Sequence, residues 1–238
     1  YCYIKLNPKD NEENLSDGYI ETLESMSEQK KRRFLYGEYS DDSENALWKR
    51  DWIIQNRINT LPDKMSRVIV AVDPAVTGTD QSDDTGIIVC GKYKVNAEDH
   101  YCIISDKSYH GGVTGWGRAV ADAYAEFSAD KVIGEVNQGG DLVEMNIRNY
   151  NKSIPYEAVR ATRGKAVRAE PIADMYRRGL VHHYGEFPEL EDQLCEWTPE
   201  SDDSPDRLDA AVWGLSYLSG TYSIHENKIT GWSGAVYA

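Results

Sequence analysis

Four carboxylates stand where the sequence predicts regular elements to end or begin. Asp73 ends the first long apolar run, and Glu135 lies near the end of another such run. Asp206 and Asp209 fall in the first turn of the last predicted helix. In open α/β sheets, strand ends and the helix termini beside them form the crevice that holds the site. We therefore expect these four side chains to converge.

Converging carboxylates need positive charge nearby, because buried anions repel one another and raise one another's pKa. The four cysteines form no C-x-x-C pair, and no histidine stands at zinc-finger spacing, so oxygen ligands favour Mg²⁺ or Mn²⁺ over Zn²⁺. Two such ions about 3.5–4 Å apart activate a water and stabilise the leaving oxygen of a phosphodiester. Each acid alone is weak evidence, since aspartates also serve as turn residues and complement helix dipoles.

Accessory acids follow the first strand. Asp80, Asp83 and Asp84 lie in its polar turn, where a further carboxylate would complete a metal site. The spacing does not fit a calcium loop, because the required glycine falls one place late. A solvated turn is the alternative reading.

Basic residues gather after the fifth predicted strand. They suit the positioning of phosphates along a sugar-phosphate backbone, and the alternative is a solvated helix start. The residues are Arg160, Arg163, Lys165 and Arg168.

The elements that must position these residues are predicted by apolar patterns. Residues 68–72 form a continuous β-branched run, which is typical of a strand buried on both faces. Apolar runs at 86–93 and 101–104 follow after short polar turns and predict an antiparallel meander. From residue 116 onwards helices alternate with strands. This order predicts an α/β fold whose mixed sheet is covered by helices on both faces.

Two of the predicted helices have apolar residues that we expect to face inward. The helix at 165–178 would bury Val167, Pro171, Ile172 and Met175. The last helix carries a continuous apolar stripe made of Leu208, Ala211, Val212, Leu215 and Leu218.

Composition sets the outer limits. The 238 residues, 40% of them hydrophobic, suffice for one domain with an appendage. A net charge of −14 excludes a protein that simply coats DNA or an anionic membrane, although metal ions can still bridge carboxylates to phosphates. No apolar run approaches the ~20 residues of a membrane span, and no membrane partner is expected. The start lacks an initiator Met and a signal sequence, so we expect a segment of a longer chain.

Five motifs in this order resemble the nuclease domain of a tailed-phage terminase large subunit, in the RNase H-like superfamily. They are FLYGE at 34–38, VDPA at 72–75, GEVNQGGD at 134–141, RATRGK at 160–165 and SPDRLDA at 204–210. The resemblance implies that Asp73 binds two metal ions, Glu135 one of them and a final aspartate the other. That family often has two adjacent acids at the final helix start, whereas Pro205 stands first here. We prefer Asp206 as the ligand and keep Asp209 as an auxiliary.

The resemblance also divides the chain. It implies that residues 1–65 are a helical or irregular connector from an upstream ATPase domain, that 66–220 form the RNase H-like nuclease domain, and that 221–238 are a C-terminal tail. No G-x-x-x-x-G-K-[ST] phosphate loop is present, so no ATPase activity is expected of this chain.

The implied function is that of a metal-dependent endodeoxyribonuclease that cuts concatemeric viral DNA during genome packaging. Its implied partners are double-stranded DNA, the ATPase domain of the same polypeptide, the small terminase subunit and the portal protein. The implied location is the host cytoplasm, which the absence of paired cysteines also favours. The alternatives are another RNase H-like phosphodiesterase, such as a junction resolvase or transposase, and a non-catalytic interaction domain of a packaging motor.

Overall fold

The protein was analysed as a computed structural model. The structure describes residues 8–16, 18–24, 31, 35–36, 45–74, 84–111, 115–136, 141–161, 164–201 and 205–222. Three candidate site residues, Asp80, Asp83 and Arg163, lie outside this set, and their roles stay predictions. The same holds for the tail beyond residue 222.

A seven-stranded mixed sheet forms the centre of the described residues, with β1 in its middle. The path across it runs β6-β5-β1-β2-β3-β7, with β4 paired to the start of β2. Strands β1, β2 and β3 are antiparallel neighbours, whereas β5, β6 and β7 pair in parallel with theirs. The strands are β1 Arg67–Asp73, β2 Asp84–Val95, β3 Glu98–Asp106, β4 Tyr109–His110, β5 Lys131–Glu135, β6 Tyr156–Val159 and β7 Val181–His183.

Helices cover both faces of this sheet, so the predicted α/β fold is confirmed. Helices α3 and α4 lie on one face, and α2, α5, α6 and α7 on the other. None of the helices in the described residues has the length and apolar character that crossing a bilayer requires. The helices are a 3₁₀ helix at Pro8–Asn14, α1 Tyr19–Glu24, α2 Arg50–Gln55, α3 Trp116–Glu126, α4 Asp141–Tyr150, α5 Lys165–Arg177, α6 Pro188–Glu196 and α7 Asp206–Ser219.

Strand β1 is apolar throughout because both of its faces are covered. Ile69 and Ala71 point into the cluster beneath α5, α6 and α7. Val70 and Val72 point into the cluster beneath α3 and α4. A strand buried in this way leaves its terminal carboxylate at the rim of the core, which is where Asp73 stands.

Helix α7 lies very close to β1 and β2. A Cβ atom added at Gly214 would come within 2.6 Å of the Cys90 sulfur. A Cβ atom added at Gly86 would overlap the main-chain carbonyl of Asp206. These two glycines therefore allow the close approach of α7 to the sheet, and Gly86 allows the close approach of its first turn.

Replacing Gly86 with alanine should displace the first turn of α7 and destabilise the protein by about 1–3 kcal/mol, because the new methyl group meets main-chain atoms. Guanidinium unfolding measures this loss. The matched control is Gly91→Ala on the same strand, where the added Cβ meets only the side-chain ends of Ile104 and Met65 at 2.9 and 3.0 Å. Equal losses in the two variants would contradict the role given to Gly86.

The segment before β1 is docked on the core through its aromatic and apolar side chains. Trp48 and Ile53 are 0% and 1% exposed and belong to the cluster beneath α5, α6 and α7. Trp48 meets Tyr176 edge to face, with ring centroids 6.2 Å apart. Ile58 extends the sheet, since its amide donates to the His183 carbonyl at 2.9 Å.

A buried ionic cluster ties this segment to β7 and α6. Glu191 bonds Arg57 and His183, both at 3.0 Å. Because a carboxylate only accepts, His183 donates through Nδ1, and its Nε2 accepts from the Tyr176 hydroxyl at 2.9 Å. Burial raises the pKa of Glu191, but the bonds from His183 and Arg57 outweigh it and lower that pKa to about 2.

Replacing Glu191 with glutamine should destabilise the protein by about 3 kcal/mol at pH 7, because Arg57 keeps a buried, unpaired charge. A carboxyl group with a lowered pKa stabilises the fold above its unfolded pKa of 4.5 and loses this effect as the pH falls towards 2. The difference between the two proteins should therefore shrink across that interval. Chemical unfolding at several pH values measures it. Glu144→Gln, at an exposed pair with Arg148, is the control.

Candidate active site

The four acids singled out in the sequence come together at one edge of the sheet. Strands β1 and β5 are parallel, with Val72 beside Gly134, so Asp73 and Glu135 end at the same edge. Helix α7 begins above Gly86, which is the β2 partner of Asp73.

The Asp73 side chain bonds that of Glu135 and lies within the electrostatic reach of Asp206 and Asp209. This arrangement holds far more negative charge than a core tolerates without compensation. Burial raises the pKa of Asp73 well above its usual range, and the charges of Asp209, Glu135 and Asp206 raise it further.

Lys165 supplies a positive charge to the cluster. It is the first residue of α5, and its Nζ lies 2.8 Å from Asp209 Oδ2, with the two side chains 18% and 4% exposed. The same ammonium lies 5.1 Å from the centre of the Trp197 ring. The sequence predicts that Lys165 contacts DNA, and the structure places it against an acid of the site.

The other basic candidates differ in position. Arg160 is exposed just after β6, which runs parallel to β5 and ends at the same edge. The Arg168 guanidinium instead covers the Trp213 ring at 4.3 Å. Contact of either side chain with DNA stays a prediction.

Asp84 belongs to a separate ionic cluster around Arg207, the residue after Asp206. Arg207 lies 2.6 Å from Asp84, 3.1 Å from Asp106 and 2.6 Å from Glu189. Burial raises the pKa of Asp84, but bonds from Arg207 and His110 outweigh it and lower that pKa. The cluster joins the start of α7 to β2, β3 and α6.

The donor set fits a hard divalent cation. Its acids offer only oxygen ligands, and the charge around Asp73 is what such an ion neutralises. Within the described part of the chain, no group of three or more histidine, cysteine or acidic side chains is arranged to hold an ion as it stands. Two of the acids already have other partners, because Lys165 forms an ion pair with Asp209 and the Trp213 indole donates a hydrogen bond to Glu135 at 2.5 Å.

Sequence reasoning missed two residues that contact the acids or their helix. Trp213 has the sequence pattern of a packing residue and is 1% exposed, yet its N–H reaches Glu135. Arg207 could have been found from the sequence, because it directly follows Asp206 in an apolar helix and a buried arginine needs acidic partners.

A mixed sheet with acids at the ends of β1 and β5 and at the start of the final helix defines an RNase H-like fold. Residues 70–218 match the family model described as the Terminase RNaseH-like domain. The chain belongs to this family, and the resemblance stated from the motifs is confirmed.

Solved structures from several viruses share this fold, and three of them illustrate the match. The nuclease domain of the large terminase subunit gp2 of bacterial virus Sf6 matches with a TM-score of 0.51 at 13% identity, over 71% of this chain and 98% of that one. The human cytomegalovirus terminase nuclease domain matches with a TM-score of 0.53 at 16% identity, over 72% and 94%. The large terminase of a thermophilic bacteriophage matches with a TM-score of 0.53 at 12% identity, over 88% of this chain but only 54% of that one. No curated protein sequence matches the chain.

Proposed function

We propose that this chain is a metal-dependent DNA endonuclease that cuts concatemeric viral DNA during genome packaging. The observation that carries the proposal is the convergence of Asp73, Glu135, Asp206 and Asp209 at one edge of the sheet. Family membership supports it. Mutant forms of the Sf6 domain have been solved with manganese and with calcium, which supports the use of divalent cations.

The acids of this chain would hold two Mg²⁺ or Mn²⁺ ions. Asp73 would bind both, Glu135 one of them and Asp206 the other, with Asp209 as an auxiliary. Two ions held there would supply a water of lowered pKa and stabilisation of the leaving oxygen of the phosphodiester. The side chains themselves must change partners first. Asp209 would have to exchange Lys165 for the ion or for its hydration shell.

The basic residues would act on the DNA. Arg160 is exposed at the edge where the acids lie, which suits a contact to a phosphate. The net charge of −14 opposes binding of the backbone, so the isolated chain should bind DNA weakly and with strong salt dependence. We propose that residues 1–65 connect to an ATPase domain of the same polypeptide. The small terminase subunit and the portal protein would complete the machine in the host cytoplasm.

Plasmid cleavage at low salt tests the proposal. We expect Mg²⁺ or Mn²⁺ to convert supercoiled DNA into nicked and linear forms, and EDTA to prevent this. Asp206→Asn should abolish cleavage, whereas Asp209→Asn should reduce it, if Asp206 is the direct ligand. Calorimetry with Mn²⁺ alone separates the alternatives, because a non-catalytic interaction domain would bind no Mn²⁺. Preferred cutting of four-way junctions would instead favour a resolvase.

A further inference from the structure

We propose that Trp213 is a positioning residue, whose indole N–H holds the Glu135 carboxylate in the orientation that metal binding requires. This inference rests on the proposed nuclease function. It assigns a role at the site to a side chain that looks, by burial alone, like part of the core.

The contact joins α7 to β5 directly. Trp213 Nε1 donates to Glu135 Oε2 at 2.5 Å. Glu135 is thereby held from one side by the indole and from the other by Asp73. The helix that carries Asp206 and Asp209 thus also contacts the acid on β5.

The ring itself is braced. The Arg168 guanidinium lies over it at 4.3 Å, and Tyr222 meets it edge to face, with ring centroids 5.5 Å apart. Arg168 Nε and Nη1 are buried and have no hydrogen-bond partner among the described residues. Stacking on Trp213 therefore helps to place this guanidinium, and it also restrains the indole plane.

Two other buried tryptophans, Trp48 and Trp116, do not behave in this way. The Nε1 atoms of Trp48 and Trp116 are buried without a hydrogen-bond partner among the described residues. Packing alone thus accounts for those two rings. The N–H of Trp213 instead meets a charged acceptor at the site.

A donor behind a carboxylate ligand has a defined effect. By occupying one oxygen, it leaves the other to the metal and restricts rotation of the group. Loss of such outer-shell bonds weakens metal affinity by about 10–100-fold in other proteins. The indole of Trp213 is placed to act in this way on Glu135.

Trp213→Phe tests the inference, because it keeps an aromatic ring under Arg168 and removes only the donor and the larger ring volume. In the full chain we expect Mn²⁺, titrated alone in a calorimeter, to bind at least about tenfold more weakly. Excess Mn²⁺ should restore cleavage, and the KM for DNA should stay unchanged. Trp116→Phe is the matched control, since it removes a similar volume from the opposite face of the sheet, and its Mn²⁺ affinity should equal that of the wild type.

A second variant keeps the test decisive if Trp213→Phe folds poorly. Arg168→Gln removes the cation that braces the ring, and it should also weaken Mn²⁺ binding, in a measurement that contains no DNA. Unchanged Mn²⁺ affinity in either folded variant overturns the role of Trp213. If the wild type itself binds no Mn²⁺, the proposed nuclease function fails instead, so the two failures are distinguishable.

Discussion

Asp73→Asn should abolish metal binding and DNA cleavage and yet make the metal-free protein more stable. Asp73 lies at the centre of the acids, where burial and three neighbouring carboxylates raise its pKa. A group whose pKa is raised on folding stabilises the fold below its unfolded pKa and opposes it as the pH rises. Asparagine keeps the shape and removes the charge. The stability gain should therefore appear above about pH 4 and grow as the pH rises.

The expected effects are large enough to measure separately. Cleavage should fall by a factor on the order of 10³ or more, as for other residues that act directly in catalysis. The free energy of unfolding should also rise at pH 7 without metal, because the variant removes a buried charge that Asp209, Glu135 and Asp206 repel. Asp122→Asn, at an exposed side chain of α3, is the control. Retained cleavage would refute the role of Asp73 in metal binding, and a loss of stability would refute the repulsion.

Lys165→Gln should have the opposite effect on the metal-free protein. Its ammonium pairs with Asp209, which is almost fully buried, so the variant removes positive charge from a buried carboxylate. We expect a loss of about 3 kcal/mol in the free energy of unfolding. Mn²⁺ should restore much of it, and the rise in Tm on adding Mn²⁺ should exceed that of the wild type.

The control is Lys131→Gln, at the other end of β5, where a 2.6 Å pair with Glu157 is 30% and 26% exposed. That change should cost about 1 kcal/mol or less. Equal stability losses in the two variants, or no added effect of Mn²⁺, would contradict the function given to Lys165.

Apolar patterns predicted the sheet because its strands are buried on both faces. The run at 68–72 has no polar residue, and both of its faces are covered, as expected. Helical periodicity was less reliable on α5, because Val167 and Pro171 were both predicted to face inward and both are exposed, Val167 by 49%. The buried stripe of α5 runs through Ala169, Ile172, Ala173 and Tyr176, and Val167 does not fall on it.

The partners of the acids were less accessible to sequence reasoning than the acids themselves. Asp73 and Glu135 could be found from the sequence, because each is a carboxylate at the end of an apolar run that predicts a strand. Lys165 precedes Asp209 by a long stretch of chain, and only the packing of α5 against α7 brings them together. Trp213 looks like the other buried tryptophans until the β5 position of Glu135 is known.

The contact of Ile58 with β7 has a consequence for self-association. Strand β7 has three residues and lies at the rim of the sheet. Ile58 donates to His183 and accepts from Gly185 at 3.1 Å, so its main chain occupies hydrogen-bonding groups that would otherwise face water. Exposed strand rims invite intermolecular β-pairing and aggregation. The segment before β1 therefore covers this edge of the sheet and hinders its extension by a neighbouring copy of the protein.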